Sequence, residues 1–513
     1  MDKTQEIPVV EQKKIQNRAK KNKKPKMKKQ MKIIALVLTL ISVVLTAVVG
    51  VMLWNLDMLP ALYYGIVMLV LLLLIAGISA LILCARKVQI LIVGIVCSLL
   101  FDVVMGGGIY YLNGASSALK KITTTKTEVA LVDVYVNADD AAQTIEDANG
   151  YRFGILAELD RENTDEAVTK INEDLGYEIE TSEYGNYMQL VDAVEANEID
   201  AFILNTAYMD ILVDMEGYQD VNDRVKSIAE YEVEHKTQVV EQPVQEEEPD
   251  TDSDTFTVYV SGIDSREGLI AKSRSDVNIL MTVNTKTKQV LLVNTPRDYY
   301  VPLPISGGNR DKLTHAGIYG VEMSMGTLEM LYGIDLDYYF RLNFGGFQTI
   351  VDSLGGVDVY SDYEFVTLYN GYYIAAGYNH LNGDQALGFV RERYSLPGGD
   401  HDRGKNQMKV IQAIMKKMMS TDFLLNYTNV LNALAGSFET SIPMDLISEV
   451  VKSQLNSGGD WNIVSYAVSG SGDTQIPWSM GSPAYVMWPD ENTVDQAKAL
   501  INQVKNGEIL TQQ

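Results

Sequence analysis

Three apolar runs, roughly Met31–Leu56, Ala61–Cys84 and Val88–Leu112, lie close together near the start of this 513-residue chain. Each reaches the roughly 20 residues a helix needs to cross the hydrocarbon core of a bilayer. Three transmembrane helices are therefore expected. The first run is too long for the core of a signal peptide and no small-residue cleavage site follows it, so it is read as retained. Residues 1–30 hold 11 Lys/Arg against 3 Asp/Glu. Arg86 and Lys87 occupy the turn after the second run, whereas the turn near Asp57 has no basic residue. By the positive-inside rule the N-terminus and the Arg86 turn are cytoplasmic. Three crossings then place everything after Leu112 outside the cell.

The basic tail is explained by this topology, and no DNA-binding motif accompanies it. The expectation is no nucleic-acid partner. The chain as a whole has a formal net charge of −25, so the part beyond the tail is more acidic still. That disfavours a broad surface for anionic polymers and leaves room only for a local anion site. The two cysteines, Cys84 and Cys97, both fall in the spans, so the outer part holds no disulfide. Asp102 lies inside the third span. An acid there marks function or faces neighbouring helices or another subunit, and the sequence leaves both readings open. It also leaves the oligomeric state open.

After the spans, residues 123–235 alternate strand-like runs, V-A-L-V-D-V-Y-V (129–136), F-G-I-L-A (153–157) and A-F-I-L-N (201–205), with helical patterns. This predicts an α/β accessory domain that resembles part of a bacterial solute-binding protein, either a sensor or an inert spacer. Residues 236–254 are acidic, contain two prolines and offer little to bury, which reads as a linker. From Thr255 a second α/β domain of mixed strand direction runs to about Ser420, with a hairpin around T-K-T (285–287) and a helix over about 402–420. Asp384 is the expected N-cap of a shorter helix before it. Residues 421–513 are expected to form a helical extension and tail.

The chain has 13 arginines, and eight lie between Thr255 and Ser420: Arg266, Arg274, Arg297, Arg310, Arg341, Arg391, Arg393 and Arg403. Arginine grips phosphate with a planar fork and stays charged when buried, which lysine does less well. These arginines and several acids recur at predicted strand ends, where open α/β sheets build their crevices. Arg403 and Gln407 share a helix face that continues into Ile411 and Ile414. That stripe predicts a helix whose first turns line a polar pocket, its N-terminus favouring an anion. Asp264 and Asp276 either hold one Mg²⁺ beside phosphate or pair with neighbouring arginines. The whole set favours a metal–phosphate site, while each acid alone favours a simple ion pair.

The motifs G-I-D-S-R (262–266), R-S-D (274–276), N-T-P-R-D-Y-Y-V (294–301), D-K (311–312), D-Y-Y-F-R-L-N-F (337–344), V-D-S-L-G-G-V-D-V (351–359), L-N-G-D-Q-A-L-G-F-V-R-E-R (381–393) and G-D-H-D-R-G-K-N-Q (399–407) together resemble the LytR-CpsA-Psr proteins of Gram-positive bacteria. The tail, three spans and accessory domain are similar to the capsule-associated branch. The resemblance implies an α-β-α sandwich with an apolar tunnel for a lipid tail. It implies an enzyme that takes a polyprenyl-pyrophosphate-linked glycopolymer, a teichoic acid or capsular polysaccharide, and transfers it as glycosyl phosphate to peptidoglycan. Membrane lipid and Mg²⁺ are further expected partners. Asp264 and Asp276 would hold the metal. Arg274, Arg297, Arg391, Arg393 and Arg403 would clamp the pyrophosphate, with Gln407 assisting and Asp400 orienting arginines. Asp276 or Asp298 would serve as base, and Lys312, Arg341 and Asn343 are further pocket residues. Many members carry another arginine where this chain has Asn406, so the clamp has one charge fewer or Lys405 contributes. Leu328–Tyr332 and the 402–420 helix are candidates for the tunnel wall. A lipid-pyrophosphate hydrolase and a lipid-binding sensor are the competing readings.

Overall fold

The structure is a computed structural model of the full chain, and it describes residues 9–57, 59–85, 87–124, 127–236, 254–263, 273–418 and 438–511. Asp264, Arg266, Arg86 and most of the expected linker lie outside the described residues. Contacts divide the chain into two units: residues 1–118 with 447–458, and residues 119–446 with 459–513.

Among the described residues, the first unit carries three helices long and apolar enough to cross a membrane, Gln30–Leu56, Ala61–Leu83 and Val88–Gly114. They coincide with the three apolar runs. Asp102 accepts the Ser42 hydroxyl at 2.5 Å, and Ser42 lies 3.2 Å from Ser98. The acid thus faces a polar cluster between the first and third helices.

In the second unit the accessory domain is a five-stranded sheet in the order Thr181–Tyr184, Phe153–Leu156, Ala201–Asn205, Thr127–Asn137, Val225–Lys236. The first three strands are parallel and the last two pair antiparallel. Ala201–Asn205 is buried along its whole length, as a strand covered on both faces must be. One face packs on the helix Arg161–Leu175 through Ala167 and Ile171. The other packs on the helices Tyr187–Glu195 and Thr206–Val213.

The larger sheet has six strands, in the order Phe438–Thr440, Tyr338–Asn343, Thr255–Ile263, Ser275–Asn284, Gln289–Asn294, Asn462–Ala467. Ser275–Asn284 and Gln289–Asn294 form the expected antiparallel hairpin. Tyr338–Asn343 runs parallel to Thr255–Ile263 and antiparallel to Phe438–Thr440, and Asn462–Ala467 runs parallel to Gln289–Asn294, so the directions are mixed. The helices Val321–Tyr332 and Glu491–Lys505 cover one face through Leu328, Tyr332, Val494 and Ile501. The helices Phe344–Ser353, Gly383–Arg391 and Asp400–Met418 cover the other. This is an α-β-α sandwich.

Two expectations change here. Residues after 437 do not form a separate helical tail: two of their segments are the edge strands of the main sheet, and Glu491–Lys505 is part of its core. Edge strands this short, such as Phe438–Thr440, carry too few alternating positions to be read from periodicity. The cap of Gly383–Arg391 is Asn382 rather than Asp384. Its side chain accepts from Gln385 N while Gln385 reaches back, forming a capping box.

Candidate functional site

The strand ends assemble the polar cluster. Asp276 is the second residue of Ser275–Asn284, and Arg297 and Asp298 follow Gln289–Asn294 within four residues. Arg297 Nη1 donates to Asp276 Oδ1 at 2.9 Å, and Thr314 Oγ1 reaches the same oxygen at 3.3 Å. Arg297 Nε lies 3.8 Å from Asp298 Oδ2, too far for a hydrogen bond. That buried N–H has no hydrogen-bond partner among the described residues. An orphaned charged donor inside a fold signals an acceptor that arrives from outside it. Lys312 Nζ, also buried, sits 3.4 Å from Asp298 Oδ1 and holds that carboxylate in place.

Electrostatics ties distant segments together. Burial alone would raise the Asp276 pKa, but the guanidiniums of Arg297, Arg274 and Arg403 outweigh it and hold the carboxyl well below the usual range. Arg297 is shifted the other way: burial lowers its pKa, and Asp276 together with Asp298 and Asp214 more than restores it. Arg403 is pushed down by burial, against the pull of the adjacent Asp400, with which it forms an ion pair. Asp400 is thus the carboxylate paired with Arg403.

Arg403 stands in the first turn of the helix Asp400–Met418, and Gly404 explains how it gets so close to the sheet. A Cβ there would overlap the side-chain amide of Asn294, at the end of Gln289–Asn294. Gly404→Ala forces the helix outward or Asn294 aside. It should cost about 1–3 kcal/mol, the usual range for overpacking. The full-length protein should melt earlier and lose turnover as Arg403 is displaced; an unchanged melting temperature would refute this packing account. Gly404 was missed in the sequence because a glycine in a helical pattern carries no signal of what it faces.

The loop R-E-R-Y-S-L-P-G-G folds back on this helix. Gln407 Nε2 donates to Val390 O at 3.3 Å. Glu392 is buried and accepts from the backbone N–H groups of Leu368, Arg393 and Ser395 at 2.7–3.0 Å. Burial raises its pKa, but these N–H groups lower it overall. Glu392 therefore shapes the loop, while its two arginine neighbours keep no carboxylate within ion-pair range among the described residues. The Arg391 guanidinium lies between the rings of Tyr369 and Phe344, at 4.3 and 4.5 Å. Arg393 lies 5.3 Å from the Tyr394 ring.

Next to this cluster is an apolar cavity of about 290 Å³. Val260, Val277, Leu342, Phe347, Ile411 and Ile414 are among its wall residues, and Gln407 and Asn343 also line it. Val277 directly follows Asp276, and Val390 precedes Arg391, so the cavity begins where the charged cluster ends. The stripe Arg403, Gln407, Ile411, Ile414 runs from one to the other, as its spacing predicted.

Other expected residues fall differently. Arg341 is not a pocket residue: it pairs with buried Glu439 at 2.7 Å, and Tyr339 donates to the same carboxylate at 2.6 Å. Its strand neighbours Phe340 and Leu342 line the cavity, so alternation turns Arg341 to the opposite face. Asn343 caps the helix Phe344–Ser353, accepting from Gly346 N at 2.7 Å, besides lining the cavity. Lys405 pairs with Asp402 at 3.3 Å and does not replace a charge at Asn406, which is buried. Leu328 and Tyr332 pack in the core on the far face of the sheet, away from the cavity. Arg274 is bound by Asp214 of the accessory domain at 2.6 Å, a partner that nothing in the sequence pattern links to it.

The sequence model described as the LytR_cpsA_psr family matches residues 211–501. The polyisoprenyl-teichoic acid–peptidoglycan teichoic acid transferase TagU of Bacillus cereus is 35% identical over 237 residues, 46% of this chain and 73% of that protein. The protein of the same name from Bacillus mycoides is 38% identical over 205 residues, 40% of this chain and 66% of that protein. The crystal structure of B. subtilis TagV aligns with 50% of this chain and 99% of its own, at 23% identity and a TM-score of 0.42. With more than half of its length matched by the family model, the chain belongs to the LytR_cpsA_psr family.

Proposed function

We propose that the protein transfers an anionic glycopolymer from a polyprenyl-pyrophosphate carrier to peptidoglycan at the outer membrane face. The supporting observation is the shared helix Asp400–Met418: its first turn holds Arg403 beside Asp276 and Arg297, and its later turns line an apolar cavity. A charged head group with an apolar tail fits that sequence of surfaces. The relatives' names, teichoic acid transferases acting on peptidoglycan, support the same reading. The donor is a teichoic acid or a capsular polysaccharide. The basic N-terminal tail lies in the cytoplasm, and both folded domains lie outside. The alternation of strands and helices in residues 123–235 supports its likeness to part of a solute-binding fold.

The step is a phosphoryl transfer. An acceptor sugar hydroxyl attacks the phosphorus that bears the glycan, a new P–O bond forms, and the bridging P–O bond to the lipid phosphate breaks. Polyprenyl phosphate leaves. Arg297, Arg403, Arg274, Arg391 and Arg393 hold the pyrophosphate oxygens and neutralise the charge that develops on them. The hydroxyl proton needs an acceptor with a pKa near the working pH. Asp276, held far below that range, is a poor base, and its role is to position Arg297. Asp298, held by Lys312 beside Arg297, is the other carboxylate placed to take the proton. A hard carboxylate kept ionised beside the phosphate site fits one ligand of a Mg²⁺ whose other ligands are phosphate and water, and Asp276 would be that ligand, with Asp264 as a second. Bound there, the ion would add further charge neutralisation.

The test incubates the full-length protein in detergent with a short lipid-pyrophosphate oligosaccharide, Mg²⁺ and peptidoglycan fragments. Oligosaccharide phosphate joined to the fragments is expected. Free oligosaccharide phosphate alone would make the enzyme a hydrolase, and binding without turnover would make it a lipid sensor.

A further inference from the structure

We infer that the accessory domain contributes Asp214 to the active site as a positioning residue that sets the guanidinium of Arg274 for the pyrophosphate. The inference rests on the proposed role of the arginine cluster. Asp214 caps the C-terminal end of the helix Thr206–Val213. A carboxylate at that end faces the negative pole of the helix, so the local structure gains nothing from it. Its gain lies across the domain boundary, where Asp214 Oδ2 accepts from Arg274 Nη1 at 2.6 Å. Asp210, one turn earlier, adds to the negative field on Arg274.

Arg274 needs such support. Its side chain is 14% exposed, it lies two residues before Asp276, and Arg297 repels it. Among the described residues, Asp214 is its one hydrogen-bond partner. Fixing one edge of a five-donor fork leaves the other edge for an incoming phosphate.

Asp214 is itself firmly placed. Its helix is buried through Tyr208, Met209, Ile211 and Leu212. The same apolar cluster takes in Ile318, Met480 and Ala484 of the catalytic domain, so the two domains share one core there. Tyr187 of the accessory domain donates to Ser479 O at 2.8 Å. Ser479 in turn donates its N–H to buried Asp311, the neighbour of Lys312. A freely moving sensor domain would not be built into the catalytic core in this way.

A double-mutant cycle tests the inference, with the full-length protein and a short-chain prenyl pyrophosphate oligosaccharide as probe. Asp214→Ala should raise KM and Kd about tenfold, the size of one lost charge-assisted hydrogen bond, with kcat less affected. Asp214→Glu should restore most of the affinity. In an Arg274→Ala background, Asp214→Ala should have no further effect. Asp214→Asn, nearly isosteric, keeps an acceptor for Arg274 but not the charge, so it should lose only part of the affinity; it guards against misfolding, with melting temperature as the check. Equal factors in both backgrounds, or wild-type affinity in Asp214→Ala, would overturn the inference. An Arg274→Ala variant with unchanged affinity would instead overturn the clamp on which it rests.

Discussion

Arg297→Ala should lower kcat/KM for glycopolymer transfer by about 10²–10³, the loss seen when one preorganised donor to a developing charge is removed. Arg297 is the hub of the cluster. Its backbone carbonyl accepts from Thr314 N at 2.9 Å, its Nη1 holds Asp276, and its buried Nε is left for a ligand. Arg297→Lys keeps the charge but not the fork, so it should recover only part of the loss. The pH profile gives a second readout. Arg297 is the strongest of the three guanidiniums that depress the Asp276 pKa. Without it that pKa rises toward the ordinary carboxylate value. Asp276 then loses its charge at a higher pH than in the wild type, and the acid limb of the rate profile moves up. Turnover within tenfold of wild type, with an unmoved acid limb, would remove Arg297 from the mechanism.

Much of this site was legible in the sequence because its parts stand at element boundaries. R-S-D, T-P-R-D and G-D-H-D-R-G-K-N-Q are short polar motifs beside strands or a helix start, and the structure brings Arg274, Asp276, Arg297 and Arg403 together. The Arg403–Ile414 stripe was readable because helical spacing alone places those residues on one face. What escaped is what depends on contacts between distant segments. Arg341 looked like one more phosphate arginine, and only its pairing with Glu439, 98 residues away, shows that it serves the sheet. Gly404 and Asp214 are unremarkable letters until Asn294 and Arg274 appear opposite them. The C-terminal residues read as an extension because parallel strands such as Asn462–Ala467 pair with a partner met far earlier in the chain.

Ile411→Trp should separate the two halves of the site. Ile411 stands one turn beyond Gln407, where the polar stripe gives way to the apolar wall. In the wild type, affinity for prenyl pyrophosphates should rise with tail length, by about 0.8 kcal/mol or roughly fourfold for each buried methylene, until the cavity is filled. A tryptophan ring takes part of that space. Removing room for three or four methylenes should cost about 2.4–3.2 kcal/mol, or roughly 60- to 200-fold in Kd, for long-tailed donors. Donors too short to pass Gln407 should bind as before, because Arg297, Arg403 and Asp276 are untouched. Arg297→Ala should show the reverse pattern, weakening every donor by one factor and leaving the slope with tail length intact. If Ile411→Trp instead weakens short and long donors equally, the tail does not enter this cavity, and the charged cluster must meet its lipid from another side.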